Sequence, residues 1–355
     1  MTVQIKKPFN EQYTLIIDSD MQAVDMHITT TTQMRWDFTV IKVADHSLEI
    51  RLVLLDHILL ETNNPMVKEV SQVSQVFSRM YNELHVTIDK KGMIRQIHNL
   101  DVIQQKWEQT KKELLKSVEH TPDIKGIIQI NDELFSTPDK IKKAIQANEF
   151  FTTYFSYVYG KELPYIEKGI VKPNFFNSAN VQWDISITSV DSQHIYLEMK
   201  PSFLLSSGFY NKAYSQFAEK IDISKLFTQM KETGNYQIEP GSGRLAQAII
   251  HRKEKAAANL YTKVSYHFMS EEKYKEKLKN QSPKYTEKSK AIQDHFPTQK
   301  EKEVYKEING KKYTKEQWEI YESKQWEIYA KKHNISVSDD KNQKNFPSSR
   351  FLVDD

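Results

Sequence analysis

Two aspartates one residue apart, Asp18 and Asp20, follow the apolar run Leu15-Ile16-Ile17. An Asp-x-Asp at the end of a buried strand can hold a divalent cation for phosphoryl or glycosyl transfer. A metal-dependent hydrolase or transferase using Asp18 and Asp20 is therefore the first chemistry to weigh. A haloacid-dehalogenase-type phosphatase needs Gly-Thr directly after the pair and a doubly wound parallel fold. Here Met21-Gln22 follow, and the next residues alternate over a long stretch instead of forming a crossover helix. Two aspartates flanking a serine are ordinary turn formers, so the pair is expected to mark a strand running into a turn.

Other reactive patterns are incomplete. Pro240-Gly241-Ser242-Gly243-Arg244 lacks the Gly-Lys-Ser/Thr ending of a phosphate loop and precedes strand-like residues, which reads as a hairpin turn. Ser206-Ser207-Gly208 falls short of Gly-x-Ser-x-Gly. The 11 histidines include no His-x-x-x-His pair, and His98 and His251, beside two hairpins, read as surface positions. With no cysteine, disulfides, thiol catalysis and thiolate zinc sites are excluded. No catalytic residue, metal ligand or cofactor site is expected.

The totals bound the rest. The 355 residues are 39% hydrophobic and 27% charged, enough for one large or two modest domains. A net charge of +3 argues against a general nucleic-acid footprint. No stretch approaches the roughly 18 apolar residues of a membrane span, and the first residues carry no apolar run of signal-peptide length. A cytoplasmic location is the expectation.

Positioning falls to strands. Residues 26–40 alternate strictly, with Met26, Ile28, Thr30, Thr32, Met34, Trp36, Phe38 and Val40 on one face. Ala44-Asp45-His46-Ser47 predicts a hairpin loop before Leu48, Ile50, Leu52 and Leu54. Pro65 opens a predicted helix with Val70, Val73, Phe77 and Met80 on one face. A second hairpin turns at Asp89-Lys90-Lys91-Gly92, and residues 100–119 predict an amphipathic helix. Thr137-Pro138-Asp139 caps a helix running into the aromatic stretch 150–159, which is either core or the wall of a ligand cavity. Later, Val181 to Ile187 and Ile195 to Met199 alternate, a helix over 210–231 is expected to end at Thr233-Gly234, and a hairpin spans 236–249. Leu260, Thr262, Val264, Tyr266 and Phe268 share a last strand face.

The order hairpin, helix, hairpin thus occurs twice. The predicted division is a first β-rich half with helices (1–170), a second β-rich half (171–270), a Lys-rich solvated linker (271–312) and an aromatic helix with C-terminal tail (313–355). Thr314-Lys315-Glu316-Gln317 fits a capping box, and the pentapeptide QWEIY occurs at 317–321 and 325–329. Trp318, Tyr321, Trp326, Ile328 and Tyr329 then share a broad aromatic face, and Phe351 and Leu352 lie in an apolar plug at the end.

The layout of residues 13–269 resembles an uncharacterised bacterial β-rich family made up mostly of secreted lipoproteins. The resemblance is carried by "MHITTTTQMRWDFTVIKV", "DHSLEIRLVLLD", "FSRMYNELHVTIDKKGMIRQIHNLDVI", "VQWDISITSV" and "TGNYQIEPGSGRLAQAII". It implies a curved two-part antiparallel fold and no transferable activity. The chain departs from that family in lacking a lipidation cysteine and in adding the linker and aromatic helix.

The expected class is α+β: β-rich, with curved antiparallel sheet in two similar halves, packed helices and a helical tail. The expected function is non-catalytic protein binding by an adaptor, chaperone or cargo component of a larger bacterial assembly, such as a secretion apparatus, with the tail aromatics as anchor. The alternative is a carrier of an apolar small molecule or lipid between sheet and helices.

Overall fold

The computed structural model describes residues 2–117, 123–203, 205, 207–280, 306–308 and 311–313. Met1–Asn280 form one compact unit and Gln281–Asp355 a second.

Within the first unit the chain builds one antiparallel sheet of 11 strands: β1 (Phe9–Ala23), β2 (Met26–Val43), β3 (Ser47–Thr62), β4 (Glu83–Asp89), β5 (Ile94–Ile97), β6 (Tyr165–Pro173), β7 (Asn180–Ser189), β8 (His194–Pro201), β9 (Gln229–Ile238), β10 (Leu245–Ala257) and β11 (Leu260–Ser270). The spatial order is β5-β4-β3-β2-β1-β11-β10-β9-β8-β7-β6. Every neighbour is also a sequence neighbour, except at the centre. There β1 meets β11 in a register running from Tyr13 opposite Ser270 to Ala23 opposite Leu260. The sheet is an up-and-down meander whose first and last strands are zipped together and whose break falls between β5 and β6.

That break is where the sequence inserts its helices: α2 (Leu100–Ser117), α3 (Asp123–Phe135), α4 (Pro138–Gln146) and α5 (Glu149–Tyr154), after α1 (Pro65–Ser78) has already been placed between β3 and β4. An open edge strand needs its backbone groups satisfied. At β5 this is done by Gln146, whose side chain accepts from the Ile94 amide at 2.8 Å and donates to the Gly92 carbonyl at 3.2 Å.

Alternation decides which face is core. Tyr13, Leu15, Trp36, Phe38, Ile50 and Leu52 from the first half belong to one buried cluster with Trp183, Ile185, Ile187, Leu197 and Phe268 from the second. The two halves therefore share one sheet and one core. Phe150 is its centrepiece, with ring centroids 4.9–6.1 Å from those of Tyr13, Trp36, Phe38 and Phe268. The stretch 150–159 is core: Phe150, Phe151, Tyr154, Phe155 and Tyr159 are all buried. It is not one long helix, because Asn148 breaks it and caps α5 by accepting from the Phe150 amide.

Four expectations are corrected. A helix over 210–231 does not form: α6 (Ser207–Ala213) is short, and the segment continues through single 3-10 turns into β9. Gly234 is no helix cap but an interior residue of β9. A Cβ there would lie 2.6 Å from the Tyr236 ring, so glycine leaves room for an aromatic to fold back along its own strand. Residues 271–280, expected in the solvated linker, form α7 (Glu271–Asn280) on the face opposite the core. Its buried Tyr274 donates to Gln33 Oε1 at 3.1 Å, covering the Arg35–Asp56 ion pair. Eight of its ten residues are Glu, Lys or Asn, so the segment looks polar, because one tyrosine does most of the burying. In α1, Met80 just beyond the helix is buried and Phe77 packs on the core, but Val70 of the predicted apolar face is 63% exposed. Lys306–Ile308 and Lys311–Tyr313 pair as a small separate hairpin, β12 and β13.

Candidate functional site

Asp18 and Asp20 are not in a turn. Both lie inside β1 on its solvent face, and the chain reverses only at Val24-Asp25, where Val24 adopts φ 58°. Each carboxylate is already engaged. Asp18 accepts from the Thr31 hydroxyl at 2.8 Å. Asp20 accepts from Lys263 Nζ at 3.0 Å and Tyr261 OH at 3.1 Å, with His27 Nε2 at 2.9 Å. Partial burial pushes the Asp20 carboxyl upward, but the hydrogen bonds from Lys263, His27 and Tyr261 outweigh it and hold the carboxyl below its usual range. An ammonium 3 Å away occupies the place a metal would need, so the pair serves as a cross-strand polar ladder.

Gly243 supplies the positive φ (+72°) of the β9–β10 turn, confirming a hairpin and not a phosphate loop. His251 Nδ1 lies 2.9 Å from Ser265 Oγ on the solvent face. Trp318, Tyr321, Trp326, Ile328, Tyr329, Phe351 and Leu352 lie outside the described residues.

The chemistry that converges is elsewhere, on the core face of the second half. The alternation that puts Met230, Tyr236 and Ile238 of β9 inward also points Glu232 inward; on β10 the phase carrying Ile250 also carries Arg252 and Glu254. Charged residues on the buried phase of a strand must be paired. Register puts Arg252 directly opposite Glu232, and Nε donates to Oε2 at 2.7 Å. Arg252 also donates to Tyr266 OH at 3.2 Å and stacks over that ring at 4.9 Å. Burial works against the guanidinium charge, but Glu232 and Tyr266 more than offset it and push its pKa up.

Glu254 is fully buried and fully used. It accepts from Asn174 Nδ2 at 2.8 Å, the Phe175 amide at 2.6 Å, the Phe176 amide at 3.2 Å and Tyr214 OH at 2.7 Å. These bonds fasten the loop after β6 against the sheet. Above the fastened loop is a cavity of about 250 Å3, lined by Lys172, Phe175, Met199, Glu232, Arg252, Val264 and Tyr266 among others.

Lys172 is the unbalanced member. Its ammonium lies 4.0 Å over the Tyr157 ring, and among the described residues it has neither an ion pair nor a hydrogen bond. Burial lowers its pKa and Arg252 adds to this, with Glu232 opposing. The cavity thus holds two cations and one carboxylate, the carboxylate already bound to the arginine. Tyr157 is the point at which the aromatic stretch 150–159 reaches this site. The visible signal in the sequence was the charge on the apolar phase of β9 and β10; the missing knowledge was that these positions are neighbours across a sheet.

No family model matches the chain, and neither does any curated protein. Among solved structures it is similar to one titled "Lipid-protein interactions in lipovitellin", at 9% identity and a TM-score of 0.35. The match covers 76% of this chain but 25% of the other, so the chain spans about a quarter of the length of that relative.

Proposed function

We propose that the protein is a non-catalytic binding protein whose cavity takes a small amphipathic anion. The observation that carries this reading is Lys172: a half-buried ammonium that packs on an aromatic face and, among the described residues, has no ion pair or hydrogen bond, near an arginine paired with Glu232. An anionic group is the complement that restores its charge, and it would sit next to the outer nitrogens of Arg252. Phe175, Met199 and Val264 supply the apolar wall for the ligand body. The ligand is therefore an anion with a short apolar body, a refinement of the apolar-carrier expectation. The binding place lies between the sheet and the loop after β6, away from the helices α2–α5.

Size sets the ligand class. At about 30 Å3 per water-sized group, 250 Å3 has room for roughly eight heavy atoms. Hexanoate is the matching probe, and 1-hexanol is its neutral counterpart. At about 0.6 kcal/mol per heavy atom, hexanoate would bind with about 5 kcal/mol, a Kd of a few hundred micromolar. Titration of the full chain followed by NMR should show saturable hexanoate binding, no binding of 1-hexanol, and a loss of about tenfold in Lys172→Met. Equal binding of acid and alcohol, or unchanged hexanoate affinity in Lys172→Met, would refute the reading.

A further inference from the structure

On the solvent face of the first half, Glu49 of β3, His85 of β4 and His98, the residue after β5, come together. One ligand atom from each lies within 4.8 Å of the others. His85 Nε2 is 2.8 Å from Glu49 Oε1, and the two imidazole centroids are 4.5 Å apart. We propose that these three side chains bind a divalent transition-metal ion such as zinc.

The backbone fixes the arrangement before any ion arrives. The His98 amide donates to the His85 carbonyl at 2.7 Å. Asn99 clamps the same point: its side chain accepts from the His85 amide at 3.0 Å and donates to the Glu83 carbonyl at 2.9 Å. Both histidines therefore emerge from a locked ladder end, as a precise ligand set requires. In sequence they are 13 residues apart, which no helical metal motif would bring together; the β4–β5 hairpin does it.

The local charge favours a cation. Arg51, which lies opposite His85, is turned away into a pair with Glu83 at 2.8 Å. That leaves the Glu49 carboxylate to face the two imidazoles. A tetrahedral zinc with bonds of about 2.0–2.1 Å needs its ligand atoms about 3.3 Å apart. The Glu49–His85 contact of 2.8 Å and the 4.8 Å limit for the set lie on either side of that value, and Glu49 and His85, each about one-third exposed, have room to turn towards an ion. His98 Nε2 now meets the Thr87 hydroxyl at 2.8 Å and would exchange that bond for the ion. Two imidazoles and a carboxylate suit zinc, copper or nickel and not magnesium or calcium. Three protein ligands leave a fourth position for water or for a donor from another molecule.

The test is calorimetric titration of tag-free full-length protein with zinc chloride, repeated with magnesium chloride. One equivalent of zinc should bind, with no magnesium response at the same concentration. The zinc affinity should fall at least about tenfold in His85→Ala and in His98→Ala, fall less in Glu49→Gln, and stay unchanged in the solvent-face control His251→Ala. Circular dichroism checks that each variant is folded; the two histidine variants are independent, so one misfolded protein does not remove the test. Zinc binding that is absent, or equally tight in His85→Ala and His98→Ala, overturns the proposal.

Discussion

The phenol of Tyr214 donates to the carboxylate of Glu254 at 2.7 Å, and both residues are completely buried. Through this bond the segment after β8 and the loop after β6 share one anchor on β10. Removing the carboxylate strands two backbone amides, those of Phe175 and Phe176, and leaves the Asn174 amide group with Ser178 Oγ and the phenol with Thr228 Oγ1. Glu254→Ala should cost about 3–5 kcal/mol in urea unfolding. Tyr214→Phe, which removes one of the four donors, should cost about 1–2 kcal/mol. Equal costs for the two would show that the carboxylate is not the hub.

Gly243 tests how the N-terminal segment is held. Its φ is +72°, and a Cβ would fall 1.7 Å from the Gln4 carbonyl oxygen. Lys6 donates its amide to Ser242 O at 2.8 Å in the same place, and Val3 and Ile5 are buried just upstream. Gly243→Ala should destabilise by more than about 1 kcal/mol and expose residues 2–6 to hydrogen exchange or proteolysis. A variant as protected as the parent would mean that the segment is held independently of this turn.

The β7–β8 turn provides a pH reading. Asp191 accepts from the Gln193 amide at 2.7 Å and the His194 amide at 2.8 Å, with the His194 ring also at 2.8 Å. The Gln193 amide, then the His194 side chain and amide, lower its carboxyl to about 2. A carboxyl lowered on folding adds stability that is complete above the unfolded value near 3.9 and is lost as pH falls towards about 2. The Asp191 carboxyl carbon should titrate by NMR with a midpoint near 2. Asp191→Asn should lower Tm at pH 6 and lose that deficit as pH drops below 3. A midpoint near 4 would contradict the turn geometry.

The boundary of the folded unit is equally measurable. α7 ends at Asn280, and Tyr274 is buried against Gln33. A chain stopping after Asn280 should unfold at the Tm of the full protein. One stopping after Ser270 should lose several degrees, because it uncovers Thr14, Gln33 and the Arg35–Asp56 pair. The 280-residue version lacks the tail aromatics, so comparing it with the full chain in partner capture reports what they contribute. Equal Tm for both truncations would remove α7 from the fold.

The amino-acid order determined most of the strands by itself, though not β6, the far end of β1 or the start of β9. Period-two runs such as Met34-Trp36-Phe38-Val40 and Val181-Trp183-Ile185-Ile187 carry their own orientation, because one face must leave water. Hairpin turns at Ala44–Ser47, Asp89–Gly92 and Glu239–Arg244 were equally local. Residues 210–231 misled because apolar spacing there serves short turns packed on a small aromatic cluster, and β9 begins where a helix was expected to end. Only the tertiary structure decided that β1 and β11 pair, and with that pairing came a single core. It also decided which distant side chains meet: Glu232 with Arg252 by register, Lys172 with Tyr157 across the core, and His85 with His98 around a hairpin. Periodicity reports how a segment faces water. Contact between segments depends on which strands pair and in what register, and that is settled by the whole chain burying its surface at once.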